Sequence, residues 1–197
     1  MRNCVTVNPG DAKYNELVNL IDNANDDNLM IVARSEANRK DDRIKPIAVI
    51  NGIYFYVANN VGDGIVYKSD INANDIAKAV QNTINNAVIG NIWTIMFGDG
   101  VPIDEYELED MNILTNIGKN NGAGILFCTK FLSRIKEKFG TDFYIIPSSI
   151  HEVMIVPFGD GITLESVTEI INVVNVNCVD DADYLGDHPW TIDEWLN

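Results

Sequence analysis

Histidine is scarce in this chain, with only His151 and His188, and its three cysteines, Cys4, Cys128 and Cys178, are odd in number and far apart. That spacing fits neither a disulfide framework nor a CxxC clip. A closed zinc site, which draws four ligands from clustered Cys and His, is excluded on the same ground. The cysteines are expected to be free thiols in a reducing cytosol. Basic side chains are also few. Against 29 Asp and Glu stand 14 Lys and Arg, for a net charge of −15 and a pI near 4.3. Binding to nucleic acid or to an anionic membrane rests on Lys and Arg neutralising phosphate, so this balance excludes both as direct partners. A charged partner should be basic. No apolar run approaches the roughly 20 residues of a membrane span, and polar residues with Pro9 interrupt residues 1–9 before a secretory signal could form. The expectation is a cytoplasmic protein.

With 46% hydrophobic residues the chain has the material for a core. Tyr14, Leu17, Val18 and Ile21 follow the i, i+3, i+4, i+7 spacing of an amphipathic helix over about 11–24. Residues 29–33 read as a buried strand and 34–43 as a loop. The runs 46–50 and 53–57 flank Asn51-Gly52, a pair suited to the positive φ angles of a type I′ turn, and predict a hairpin. Residues 64–68 would add a third strand. Ile76, Ala79, Val80, Thr83 and Ile84 predict a helix over 73–89, and 92–97 is strand-like.

Residues 98–111 combine glycine, proline and a run of carboxylates, the composition of an internal boundary. It divides the chain into an amino-terminal α+β half, 1–100, and a carboxy-terminal α+β half, 105–197. In the second half, 111–114, 123–128, 143–146 and 153–156 read as strands. Residues 130–139 read as a helix stopped by Gly140, and a final helix spans 163–174. Hairpins mixed with a few helices give an α+β fold, in which largely antiparallel sheets carry helices packed on one face and the halves are of similar size.

Chemistry-bearing motifs are few. His151-Glu152 starts like a HExxH zinc helix, but the second histidine position is Ile155. A hydrolase would use Ser148 or Ser149 as nucleophile, His151 as base and Glu152 to orient it. Strand alternation points Ser149 and His151 to one face and Glu152 to the other, so the orienting carboxylate would have to come from elsewhere. The scaffold reading has Pro147 ending a strand and the two serines bonding the turn backbone. The pairs Gly62-Asp63-Gly64, Gly98-Asp99-Gly100, Gly122-Ala123-Gly124 and Gly159-Asp160-Gly161 lack the lysine, the helix context or the calcium-loop spacing of ligand-binding loops. No cofactor or metal is expected. Trp190 and Trp195, with Asp187, Asp193 and Glu194, make an acidic aromatic tail that either packs on the domain or docks to a partner.

The stretch 142–157, with its Pro-Ser-Ser-Ile-His-Glu-Val core, resembles the signature of an uncharacterised bacterial family, domain-of-unknown-function family 5688. Met111-Asn112-Ile113-Leu114-Thr115-Asn116 followed by Asn121-Gly122-Ala123, and Val174-Asn175 and Tyr184-Leu185-Gly186-Asp187 downstream, resemble further segments of that family. The resemblance covers about 105–190 and departs at Gly186 and at His188-Pro189-Trp190. It implies a cytosolic protein of anaerobic Gram-positive bacteria or their mobile elements, and implies no activity.

The expected function is that of a non-catalytic acidic interaction protein binding a basic partner. One concrete form is a phage or mobile-element decoy that inhibits a basic nucleic-acid-binding host protein. Candidate binding residues are Ser148, Ser149, His151, Glu152, Trp190 and Trp195. The alternatives are the serine/histidine hydrolase and a homo-oligomeric structural module joined through edge strands or the tryptophan tail.

Overall fold

The computed structural model describes residues 26–39, 44–61 and 64–197. The helix expected over 11–24, Cys4 and part of the 34–43 loop lie outside them. The fold is α+β, with two antiparallel sheets. In the first, β3 (Ile53–Val61) is central. It pairs along one edge with β1 (Leu29–Arg34) and along the other with β2 (Ala48–Ile50) and β4 (Gly64–Tyr67). Ile50 faces Ile53 across a two-residue turn, with φ of 50° at Asn51 and 79° at Gly52, the left-handed conformation the Asn-Gly pair predicts.

α1 (Ala73–Asn85) is shorter than its apolar spacing suggests. It stops because Ala87–Gly90 leaves as strand β5, the first strand of a second sheet ordered β5-β6-β8-β7-β9. The others are β6 (Asn112–Asn116), β7 (Phe143–Ile146), β8 (Val153–Pro157) and β9 (Trp190–Thr191). Alternation sorts their side chains. Leu114, Ile145, Val153 and Ile155 join a hydrophobic cluster with Ile31, Phe55 and Val57 of the first sheet. Ile113, Ile146, Met154 and Val156 join a second cluster on the opposite face, closed by Ile95, Val167 and Ile171. The second sheet is therefore buried on both faces, which is why β7 and β8 read as unbroken apolar runs.

Two expected strands are helical. Residues 92–97 form α2 (Ile92–Phe97), started by Asn91, whose side chain accepts the Thr94 N–H at 2.9 Å. An apolar run carries no period of its own, and here the cap decides. Residues 123–128 fall in a 3-10 segment, Gly122–Phe127, entered through left-handed Lys119 and Asn121 and packed on β1. α3 (Thr129–Phe139) ends at Gly140 with φ of 65°, as expected. α4 (Leu164–Cys178) runs past its expected end, and α5 (Ile192–Leu196) closes the chain.

Within 98–111, Val101 bridges to Ile89, while Ile103 and Tyr106 enter the larger cluster. No helix among the described residues is long and apolar enough to cross a membrane.

Candidate functional site

The turn between β7 and β8 holds four of the six candidate residues, and its neighbours explain its shape. The Ile150 N–H donates to the Asp183 carbonyl at 2.8 Å and the Leu185 N–H to the Ser148 carbonyl at 3.0 Å, so residues 183–185 lie alongside the turn. From the other side three consecutive amides dock on it. Asn121 N–H donates to His151 Nδ1 at 3.2 Å, Gly122 N–H to the His151 carbonyl at 2.9 Å, and Ala123 N–H to the Ile150 carbonyl at 3.2 Å. The Thr115 hydroxyl donates to the same His151 carbonyl at 2.7 Å. Only glycine fits at 122, because a Cβ there would lie 2.5 Å from Thr115 Oγ1 and 2.6 Å from the His151 oxygen. Four separate segments of the motif resemblance thus meet at one turn.

That arrangement fixes the imidazole. Nδ1 accepts a backbone N–H, so the neutral ring carries its proton on Nε2, which sits 3.2 Å from Asp183 Oδ1. Asp183 is thus the carboxylate that the fold brings to His151 from outside the turn. Ser148 and Ser149 are buried. Ser149 Oγ accepts the His151 N–H at 3.0 Å, and among the described residues neither ring nitrogen meets a serine hydroxyl. Burial pushes the Glu152 carboxyl above its ordinary range, against the opposing pull of His151 and the Ser149 hydroxyl.

His151 and Asp183 form one wall of a cleft of 510 Å³ over the outer face of the first sheet, where Arg34, Arg39 and Tyr67 form the other. Arg34 closes β1 on the face shared with Val32, and it is 3% exposed. It donates to the Ala33 carbonyl at 2.6 Å and to Asn121 Oδ1 at 2.8 Å, and its guanidinium carbon lies 5.8 Å from the Tyr67 ring centre. Asn121 therefore links the guanidinium to the imidazole. Asn121 stands in a segment of the family resemblance, but neither Arg34 nor Asp183 is singled out by the sequence, because the chain separates them widely. A lone arginine ending an apolar strand was the one available signal.

The tryptophans lie elsewhere. Trp190 pairs with Ile145 at the edge of the second sheet. Trp195 is buried, its indole N–H donating to the Leu126 carbonyl at 3.0 Å, so the tail folds back onto the core. Among the described residues no three His, Cys, Asp or Glu side chains gather as metal ligands.

A different surface stands out by exposure. On α2, Ile92, Trp93, Met96 and Phe97 are 48%, 69%, 62% and 75% exposed, and Trp93 stacks on Phe97 with ring centres 5.8 Å apart. Ile92 and Trp93 share a hollow of 460 Å³ with Glu109 and Asp110, and both Glu109 oxygens accept from the Asn91 amide at 3.0 and 3.1 Å.

Fold and site define a two-sheet α+β protein with a polar cleft on one sheet and an apolar, acid-edged patch on the other. The profile of a family of unknown function, DUF5688, matches residues 16–193, and the chain belongs to that family. The match extends well upstream of residue 105, where the motif resemblance begins. No curated protein and no solved structure matches the chain significantly.

Proposed function

We propose that this is a non-catalytic, cytoplasmic interaction protein that docks a basic protein partner through the α2 patch and its acidic edge. The carrying observation is the exposure of Ile92, Trp93, Met96 and Phe97 on one short helix. Their side chains could turn inward only at the expense of Ile95, which already fills that position in the core. Contiguous apolar surface rimmed by polar groups marks partner contact, and stacked aromatics are the usual anchors of an interface. From residue 92 to 116 the chain carries six carboxylates, Asp99, Asp104, Glu105, Glu107, Glu109 and Asp110, and no Lys or Arg. All six are exposed, with Glu109 and Asp110 bordering the patch and Asp104 paired with Arg134. Such an edge attracts basic partners and repels acidic ones. A decoy for a basic nucleic-acid-binding host protein, carried by a phage or mobile element, is the form of this reading in which the carboxylates take the place of phosphates.

Capture from a host lysate at low and high salt tests it. The reading expects a basic protein held at low salt and released at high salt. Retention of acidic proteins only, or of a set indifferent to salt, contradicts it. Light scattering addresses self-association, for which this reading expects a monomer.

The hydrolase alternative has one observation in its favour, the Asp183 carboxylate beside His151. It requires a serine that an active-site-directed fluorophosphonate labels, with labelling lost in Ser149→Ala.

A further inference from the structure

A guanidinium taken out of water is costly unless an anion or a full set of acceptors replaces the water. Arg34 is 3% exposed, and its partners are two neutral oxygens, the Ala33 carbonyl and Asn121 Oδ1, with the Tyr67 ring beside it. No carboxylate among the described residues pairs with it. The guanidinium has five N–H donors, so these two bonds leave most of its fork unused. Beside it, the Tyr67 hydroxyl is buried with no well-formed hydrogen bond, its polar neighbour being the same guanidinium. Arg34 and Tyr67 both line the 510 Å³ cleft. Burial of unused donors is uncommon in folded proteins, and two lining one cleft point to a group that completes them.

The rest of the cleft narrows the chemistry. Among the described residues the charged groups lining it are two guanidiniums, Arg34 and Arg39, and one carboxylate, Asp183, on a chain of net charge −15. Arg39 also reaches Glu36, at 3.0 Å, whereas Asp183 is turned to His151 on the far wall. The volume exceeds that of a lone small anion and suits a small molecule with an anionic head.

We infer that the cleft binds a small molecule through an oxyanion, a carboxylate or a phosphoryl group, received by the Arg34 guanidinium and the Tyr67 hydroxyl. A planar fork receives either group with two parallel bonds. Asn121, bonded to both Arg34 and His151, would carry occupancy of the cleft to the histidine turn. This site is separate from the α2 patch and does not depend on the proposal made for that patch.

The probes are inorganic phosphate and acetate, titrated separately into 15N-labelled protein at constant ionic strength with chloride as background. Saturable shifts of the Arg34 side-chain and Asn121 amide resonances are expected with at least one. Preference for phosphate identifies a phosphoryl ligand, and preference for acetate identifies a carboxylate. Arg34→Lys should abolish saturation. Because Arg34 is buried and its variant could lose the fold, Tyr67→Phe gives a second arm. It removes only a hydroxyl with no well-formed hydrogen bond, should leave the free protein folded, and should weaken binding about tenfold. Linear, non-saturating shifts with both probes overturn the inference. So does saturable binding that folded Arg34→Lys and Tyr67→Phe proteins retain undiminished.

Discussion

A Cβ on Gly124 would lie 1.8 Å from the carbonyl oxygen of Ile31. The 3-10 segment rests backbone on backbone against β1, and the joint between the sheets at this point has no room for a methyl group. Gly124→Ala must separate the segment from β1, and destabilisation of about 3 kcal/mol or more is expected, read from the urea midpoint. Gly140→Ala, at a left-handed position with open space around it, should cost only about 1 kcal/mol.

Trp195→Phe keeps an aromatic ring in the core but leaves the Leu126 carbonyl without its donor. A loss of about 1–3 kcal/mol is expected in chemical denaturation. An exposed docking tail would show no change.

Burial pushes the Cys128 thiol up to about 12, whereas Cys178 is exposed. At pH 8 almost no thiolate exists at Cys128, so iodoacetamide should modify Cys178 and reach Cys128 only after denaturant is added. Peptide mass spectrometry distinguishes the two.

Glu152 gives stability a pH dependence with a definite sign. Its folded carboxyl titrates above its ordinary value, so the native protein holds a proton at pH values where the unfolded chain has released it. This contribution favours folding below the ordinary carboxylate range and is lost as pH rises through the window up to the raised value. Glu152→Gln should flatten that part of the profile, raising the urea midpoint relative to the parent at the upper end of the window.

Local chemistry made much of the fold legible. The Asn51-Gly52 turn, the Gly140 stop and the α1 face each depend on residues close in sequence, and all stand where the residue pattern placed them. The errors fell where a short apolar run had no period to read. Residues 92–97 became helix through the Asn91 cap, and 123–128 became a 3-10 turn because Gly124 meets Ile31 from ninety residues away. The site divides in the same way. His151 and its serines were visible as a motif, but Asp183, Asn121 and Arg34 reach them only through pairing of the segments around 121, 150 and 184, which no spacing rule announces. The exposed face of α2 was hidden by the same strand reading that missed the helix.

The α2 patch is best tested by exchanging its aromatic anchors for polar residues of smaller size. Trp93 and Phe97 are largely exposed, so Trp93→Ser/Phe97→Ser should leave the urea midpoint within about 0.5 kcal/mol of the parent. Parent and double variant, immobilised at equal density and exposed to the same lysate at low salt, should then differ by one basic protein, bound at least tenfold less by the variant. Equal capture of every basic protein by the two would contradict the account.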